Sequence, residues 1–322
     1  MIILTGGAGF IGSVMLARLN ASGVDDVVVV DDLGHADKWC NLSNKRFADY
    51  LHKDELMPLL DRGALTLPKA IVHMGACSST KQRDVEYLLR NNYRYTKTLC
   101  EYALTHGARF IYASSAATYG DGQLGFDDCE SLIPNLRPLN PYGYSKQLFD
   151  QWVLRSGISS KICGLKFFNV FGPNENHKKG MWSVIYNAYQ QIQDTGTVKL
   201  FKSYDPNYPD GGQRRDFVYV RECVEVIWQL LEKPAVNGIF NLGSGHATTW
   251  RAMVESVFAA LNLPPQIEYI PMPDGLRKQY QYVTLAKMER LNRALGRSSA
   301  PEGVSEGVRE YVQDFLQTGG VL

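Results

Sequence analysis

A chain of 322 residues with 45% hydrophobic residues can bury a substantial core, and it is long enough for two domains or one large α/β unit. The formal net charge of +1 provides no global field to recruit nucleic acid or a membrane surface. The six cysteines form no C-x-x-C pair and the six histidines no H-x-x-x-H pattern, which excludes a zinc or disulfide framework and fits a reducing, cytoplasmic setting.

The N-terminal "MIILT" reads as a strand, and Phe10 to Ser22 as a helix. The start lacks the cationic and apolar regions of a signal peptide. No stretch approaches the roughly 20 apolar residues of a membrane span. Strands follow at "VVVVD" (27–31), "KAIVHMGA" (69–76), "RFIYASS" (109–115) and "KICGLKFF" (161–168). Helical spacing runs from about Val85 to His106 and again through "YGYSKQLFDQWVLR". This alternation predicts an α/β fold, a doubly wound parallel Rossmann sheet covering 1–170. After Val170 the pattern loosens. Helices are expected over 181–194, 221–233, 249–261 and 301–317, in a smaller α/β C-terminal substrate domain covering 171–322. "DFVYV" (216–220), within a segment near 214–233, is expected to return to the first domain.

"TGGAGFIG" follows the first strand and opens a helix. Gly6, Gly7, Gly9 and Gly12 permit a tight turn, close approach of a pyrophosphate, and close packing of helix on strand. The helix N-terminus offers free N–H groups to phosphates. Asp31 lies 19 residues past Gly12 at the end of the second strand, where an acid binds the adenosine ribose. Asp31 favours NAD, whereas Lys38 and Lys53 could meet the 2′-phosphate of NADP. The residues themselves leave the choice open, with surface exposure the plainer role for each lysine.

"NPYGYSKQ" places Tyr142 four residues before Lys146, on one helix face. A phenol with a pKa of about 10 needs help to act as a base at neutral pH. The Lys146 ammonium is expected to lower it and to reach the nicotinamide ribose. Tyr144 points elsewhere. Ser114 and Ser115 end a strand at the carboxyl edge, where one hydroxyl could bond the reacting oxygen; capping of a turn is the plainer role. In "QRRDF", Arg214 and Arg215 compete as a diphosphate fork, with a surface arginine as the alternative. Phe201 and Tyr280 could sandwich a base, although such aromatics more often belong to a core. "NENHKKGMW" raises the question whether Lys178 or Lys179 is chemical or both are surface charges.

The glycine loop, "SSAATYG" and Tyr142-x-x-x-Lys146 together resemble the extended short-chain dehydrogenase/reductase superfamily over essentially the whole chain. More narrowly, "HMGACSST", "NNYRYTK", "FFNVFGPNENHKKGM", "RRDFVYV" and "GIFNLGSG" are similar to the heptose 6-epimerase family that acts on ADP-heptose in Gram-negative bacteria. That resemblance implies an NADP-dependent isomerase, with NAD as the alternative, that inverts C6 of the heptose for lipopolysaccharide precursor synthesis. It also implies a homo-oligomer. Cofactor contacts implied by it are Phe10, Ile11, Asp31, Asp32, Lys38, Lys53, Met74, Gly75, Ala76, Cys77, Ser78, Asn91, Tyr142, Lys146, Val170 and Lys178. Implied substrate contacts are Ser115, Asn169, Gly180, Asn187, Phe201, Lys202, Ser203, Tyr204, Arg215 and Tyr280. The chain departs from the family pattern with Asp32 in place of Asn, with Gly180 and Asn187 in place of Ser and His, and with "FKSY" in place of "FEGS". Ala116 and Ala117 stand where a sugar-nucleotide dehydratase usually carries Asp-Glu, which argues against that relative. A related 4-epimerase remains the nearer rival, and a non-catalytic dinucleotide-binding regulator the more distant one, disfavoured because Tyr142 and Lys146 are both present.

Inversion at an unactivated C–H calls for transient oxidation. The ketone must then turn its other face, so its oxygen moves and a second acid–base group becomes useful. The residues alone leave Lys178 and Lys179 equal; the resemblance assigns the role to Lys178. The catalytic set is thus Ser115, Tyr142, Lys146 and Lys178, with no metal.

Overall fold

The computed structural model describes residues 1–34, 37–178, 180–277, 280–297 and 304–322. Lys179 and the first residues of the helix expected from 301 lie outside the described residues. The strands are β1 (Ile2–Thr5), β2 (Val27–Asp31), β3 (Asp49–His52), β4 (Ala70–His73), β5 (Arg109–Ser115), β6 (Cys163–Phe167), β7 (Asn169–Phe171), β8 (Val198–Phe201), β9 (Arg214–Tyr219), β10 (Gly238–Leu242), β11 (Ala247–Thr249) and β12 (Ile267–Ile270). The helices that matter below are α1 (Phe10–Ala21), α2 (Lys53–Asp61), α3 (Val85–Leu88), α4 (Tyr95–Thr105), α5 (Pro141–Arg155), α6 (Val184–Thr195), α7 (Val220–Glu232) and α8 (Trp250–Ala260). A wider π-type turn, Leu89–Arg94, joins α3 to α4, so the long helix read from 85 to 106 is one continuous rod with an internal bulge. Among the described residues no helix is long and apolar enough to cross a membrane.

β1 to β6 and β10 form a seven-stranded parallel sheet of order β10-β6-β5-β4-β1-β2-β3. Side-chain alternation along each strand divides its residues between two cores. Leu4, Val29, Val72, Ile111 and Leu165 pack with α1, α7 and α8 on one face. Ile3, Val28, Val30, Ile71, Phe110 and Tyr112 pack with α2, α4 and α5 on the other. Strands buried on both faces explain apolar runs such as Val27 to Val30. The fold is therefore the doubly wound α/β class.

Beyond residue 170 the chain does not stay apart. β9, the strand read in "DFVYV", is not part of the large sheet. It pairs instead with β7 and β11 in a three-stranded sheet, because β7 presents a parallel edge one residue after β6 ends. The segment that returns is α7, which lies against α1, followed by β10, which pairs with β6. β8 and β12 make a separate parallel pair. The strand read over 69–76 ends at His73; residues 74–79 leave the sheet as a loop.

The strand order reverses between β1 and β4, and their carboxyl ends open a crevice. A second line of descent to the same crevice starts at Phe168. This residue donates its N–H to Leu242 and turns the chain from β6 into β7 and then into the segment 172–180. Asn174, at φ +73, is one of the non-glycine residues in the left-handed region. Its buried amide donates to Ser13 Oγ of α1 (2.9 Å) and accepts from the Leu322 N–H (2.9 Å), which holds that conformation.

Candidate active site

The glycine loop is shaped by backbone contact. Gly6 has φ +68, and a Cβ there would lie 2.5 Å from the Gly75 nitrogen. A Cβ on Gly12 would lie 2.0 Å from the Gly6 carbonyl oxygen, and one on Gly7 would lie 2.9 Å from Val29. Gly6 thus permits the approach of the β1 and β4 loops, while Gly7 and Gly12 permit close packing of strand and helix. Gly9 is the N-cap of α1, with extended backbone and no side chain over the free N–H groups of Phe10 and Ile11.

Asp31 is buried at the end of β2. It accepts from the Ala8 N–H (2.8 Å) and from Lys38 Nζ (2.7 Å). A cavity of about 190 Å³ lies between these groups, lined by Gly6, Asp31, Asp32, Lys38, Lys53, Gly75, Ala76, Cys77 and Asn91. Thr5, Val30, Tyr87 and Tyr95 also line it. Lys53, the first residue of α2, pairs with Asp54 at 3.0 Å. Met74 and Ser78 flank the lining residues of the same loop, and Val170 sits on β7. A glycine-lined crevice at a switch point, with free N–H groups at a helix start and an acid beyond, fits the pyrophosphate and ribose of a dinucleotide.

α5 starts where its residues require it. The Asn140 side chain accepts from the Gly143 N–H at 2.8 Å, and Pro141 takes the first helical position. Gly143 lets the helix start press against the turn after β5; a Cβ there would lie 2.7 Å from the Ala117 carbonyl oxygen. This brings Tyr142 to Ser115, whose hydroxyl bonds the phenol. Ser114 is turned inward and donates to Asp150 at 2.7 Å, so of the two serines Ser115 faces the crevice.

The charges differ from expectation. Burial pushes the Tyr142 phenol above its ordinary value, and the Ser115 hydrogen bond offsets part of this. The lowering expected from Lys146 does not outweigh burial, and the Lys146 Nζ donates to the Ala113 carbonyl (2.7 Å). Burial brings Lys146 itself down to about 8, against a raising influence from Asp150. Beneath them His73 bonds Thr5 (2.6 Å) and Thr96 (2.8 Å), and burial pushes it down to about 3, so it stays neutral.

Lys178 lies with Nζ 4.9 Å from the centroid of the Phe10 ring, over the first turn of α1. Burial lowers it and the nearby Glu175 raises it. Asn41 stitches this segment to the glycine loop, donating to the Ala8 carbonyl (3.0 Å) and the Asn174 carbonyl (3.1 Å).

A second cavity of about 350 Å³ is lined by Asn187, Phe201 and Tyr280, together with Trp182, Trp250, Gln191 and Gln213. The Arg215 guanidinium lies 5.3 Å from the Tyr280 ring centroid and 6.0 Å from that of Trp250. Arg215 is buried and Arg214 exposed, which separates the two candidates. Lys202, Ser203 and Tyr204 do not line this cavity. Ser203 is tied to Asp210 (2.6 Å), and Tyr204 lies exposed under Arg277 at 3.8 Å. Asn169 is exposed on β7, and Gly180 sits in an open turn at φ +77. The Asn187 amide donates to the carbonyls of Trp182 and Ser183 at 3.1 and 2.9 Å. The signal for Trp182 was present in "NENHKKGMW"; Trp250 and Gln213 have no local signature.

Fold and crevice together define a dinucleotide-binding Rossmann protein. The chain belongs to the NAD dependent epimerase/dehydratase family, which matches residues 2–243. It is 55% identical over 295 residues to ADP-L-glycero-D-manno-heptose-6-epimerase of Nitratidesulfovibrio vulgaris (strain DP4), covering 91% of each chain. The structure of the Helicobacter pylori ADP-L-glycero-D-manno-heptose-6-epimerase superposes with a TM-score of 0.82 at 26% identity, over 97% of this chain and 95% of that one. UDP-glucose 4-epimerase of Thermus thermophilus, solved as a complex with NAD, gives a TM-score of 0.77 at 26% identity over 98% of both chains. A nicotinamide dinucleotide is therefore the class of cofactor.

Gly6→Ala should strain the backbone by on the order of 1–3 kcal/mol and weaken dinucleotide binding. Calorimetric titration checks this; an unchanged Kd would show that the Gly6–Gly75 approach does not shape the site.

Proposed function

We propose that the chain epimerises ADP-D-glycero-D-manno-heptose to ADP-L-glycero-D-manno-heptose at C6, making it an isomerase that serves lipopolysaccharide core precursor synthesis. The observation that carries this reading is Lys178. Its ammonium lies over the first turn of α1, with proton affinity lowered by burial, which supports a second proton-exchanging group in addition to the Tyr142–Lys146 pair. The full-length similarity to relatives bearing that name supports it.

The C6–H bond is not acidic, so inversion proceeds through a 6-ketone. An oxidised nicotinamide dinucleotide, when bound, accepts and returns hydride and adds a positive charge that favours a phenolate. Tyr142 takes the proton of the C6 hydroxyl, with Ser115 holding the same oxygen. Lys146 lends positive charge beside the phenol and is the group to bind the nicotinamide ribose. The ketone turns about C5–C6, and its oxygen leaves the reach of Tyr142. Lys178 then donates the proton to that oxygen as the opposite face is reduced. Tyr142 ends protonated and Lys178 neutral, so proton exchange with solvent resets the pair. Arg215 is the proposed clamp on the diphosphate, and the cavity of Asn187, Phe201 and Tyr280 the proposed seat of the base.

Tyr142→Phe and Lys178→Met should each lower kcat by about a hundredfold or more while leaving the dinucleotide bound. NMR of the product formed from ADP-D-glycero-D-manno-heptose checks this. Near wild-type turnover by Lys178→Met would remove the two-base assignment.

NADP is the proposed dinucleotide, because Lys38 and Lys53 line the ribose end of the cavity. NAD has its own support, since Lys38 is already paired with Asp31 and Lys53 with Asp54. Lys38→Ala should weaken NADP binding about tenfold and NAD binding much less, if a 2′-phosphate sits there. Equal losses in two calorimetric titrations would favour NAD.

A further inference from the structure

We propose that the buried pair Asp150–Lys166 is the positioning element that sets helix α5 against strand β5, and so holds Tyr142, Lys146 and Ser115 in working register. This rests on the epimerase reading of the site and adds residues that touch neither substrate nor cofactor.

Asp150 follows Lys146 by four residues, as Lys146 follows Tyr142, so the three share one helix face. Asp150 and Lys166 are both completely buried and lie 2.6 Å apart. The carboxylate also accepts from Tyr112 Oη (2.9 Å) and Ser114 Oγ (2.7 Å). Those two residues flank Ala113, whose carbonyl receives the Lys146 ammonium. Lys166, on β6, donates onward to Thr118 Oγ1 (2.8 Å), and Thr118 donates to the Ser115 carbonyl (2.8 Å). One network thus grips the strand on both sides of the Lys146 acceptor and the turn that carries Ser115.

A buried ion pair is a poor source of net stability, since the cost of desolvating two charges can match their attraction. Its value here is geometric. Each Asp150 oxygen has a partner on a different side chain of β5 or β6, so a slip of α5 along the strand would break several charge-assisted bonds together.

The pair also sets charge. The groups facing Lys146 are Tyr142 and Asp150 on its own helix and His73 on β4. Tyr112 on β5 and Lys166 on β6 face it through Asp150. His73 is neutral, so Asp150 is the anion that keeps the buried ammonium charged. Lys146 loses its proton as pH rises through about 8, and kcat should fall with it. Without the Asp150 charge that fall moves to lower pH.

The test compares Asp150→Asn and Tyr112→Phe with the wild-type enzyme. Tyr112→Phe keeps the ring that packs edge-on to Phe149 at 4.7 Å and loses one tie. Cofactor Kd, thermal midpoint, KM and the kcat–pH profile are measured. Asp150→Asn is expected to lower kcat on the order of a hundredfold at near-constant KM and cofactor Kd. Its alkaline limb should shift to lower pH. Tyr112→Phe is expected to lower kcat about tenfold with the limb nearly in place. If Asp150→Asn does not fold, Tyr112→Phe decides: wild-type kcat there overturns the proposal. Losses of cofactor affinity and thermal stability with kcat unchanged also overturn it, since they mark a merely structural role. A wild-type enzyme inert on the heptose would instead sink the epimerase reading.

Discussion

Everything at this site depends on how closely two loops approach at the reversal of strand order. Gly6 and Gly75 meet where β1 and β4 end, and Gly12 lies against the Gly6 carbonyl oxygen. No side chain fits in that contact, so this part of the crevice is walled by backbone. Backbone amides there, with the start of α1, can face a pyrophosphate. Asp31 closes one end of the crevice by holding the Ala8 N–H, and Asn41 ties the loop to the segment that carries Lys178. The proposed chemistry is therefore assembled around one turn of backbone, with one group from α5 and another from the chain that leaves β6.

Buried charge is the second organising fact. Lys146, Lys178, Asp150, Lys166 and Glu175 are all withdrawn from water to some degree, each with a partner or a defined acceptor. Glu175 accepts from the Ser183 N–H (2.6 Å), which starts α6, and from Tyr311 (3.1 Å). It thereby anchors the loop of Lys178 to the α6 side of the second cavity. Burial depresses the two lysines, while nearby carboxylates counter it. Lowered proton affinity in both lysines is the consequence, and it favours the two-base inversion proposed.

Much of this was legible in the chain itself. The glycine loop, Asp31 and Tyr142-x-x-x-Lys146 are local patterns, in which spacing alone fixes which residues share a face. The apolar runs of β2, β5 and β6 announce buried parallel strands. β3 escapes because it is a half-exposed edge strand of mixed residues, "DYLH". Tyr87, Tyr95 and Trp250 escape because only tertiary packing brings them to the cavities. The pairing of β9 was not legible for the same reason: its composition suits either sheet, and the edge offered by β7 decides. The raised Tyr142 phenol was not legible because its burial is set by tertiary packing. Asp150 was within reach of sequence reasoning, since it extends the same i, i+4 face.

The most direct test of transient oxidation at C6 is the fate of the hydrogen on that carbon. Substrate deuterated at C6 is converted in ordinary water and the product is analysed by NMR. Full retention of deuterium at C6, with inverted configuration, is the result expected when hydride leaves and returns within one site. Loss of deuterium to solvent would contradict it, and would mean that the carbon is deprotonated instead.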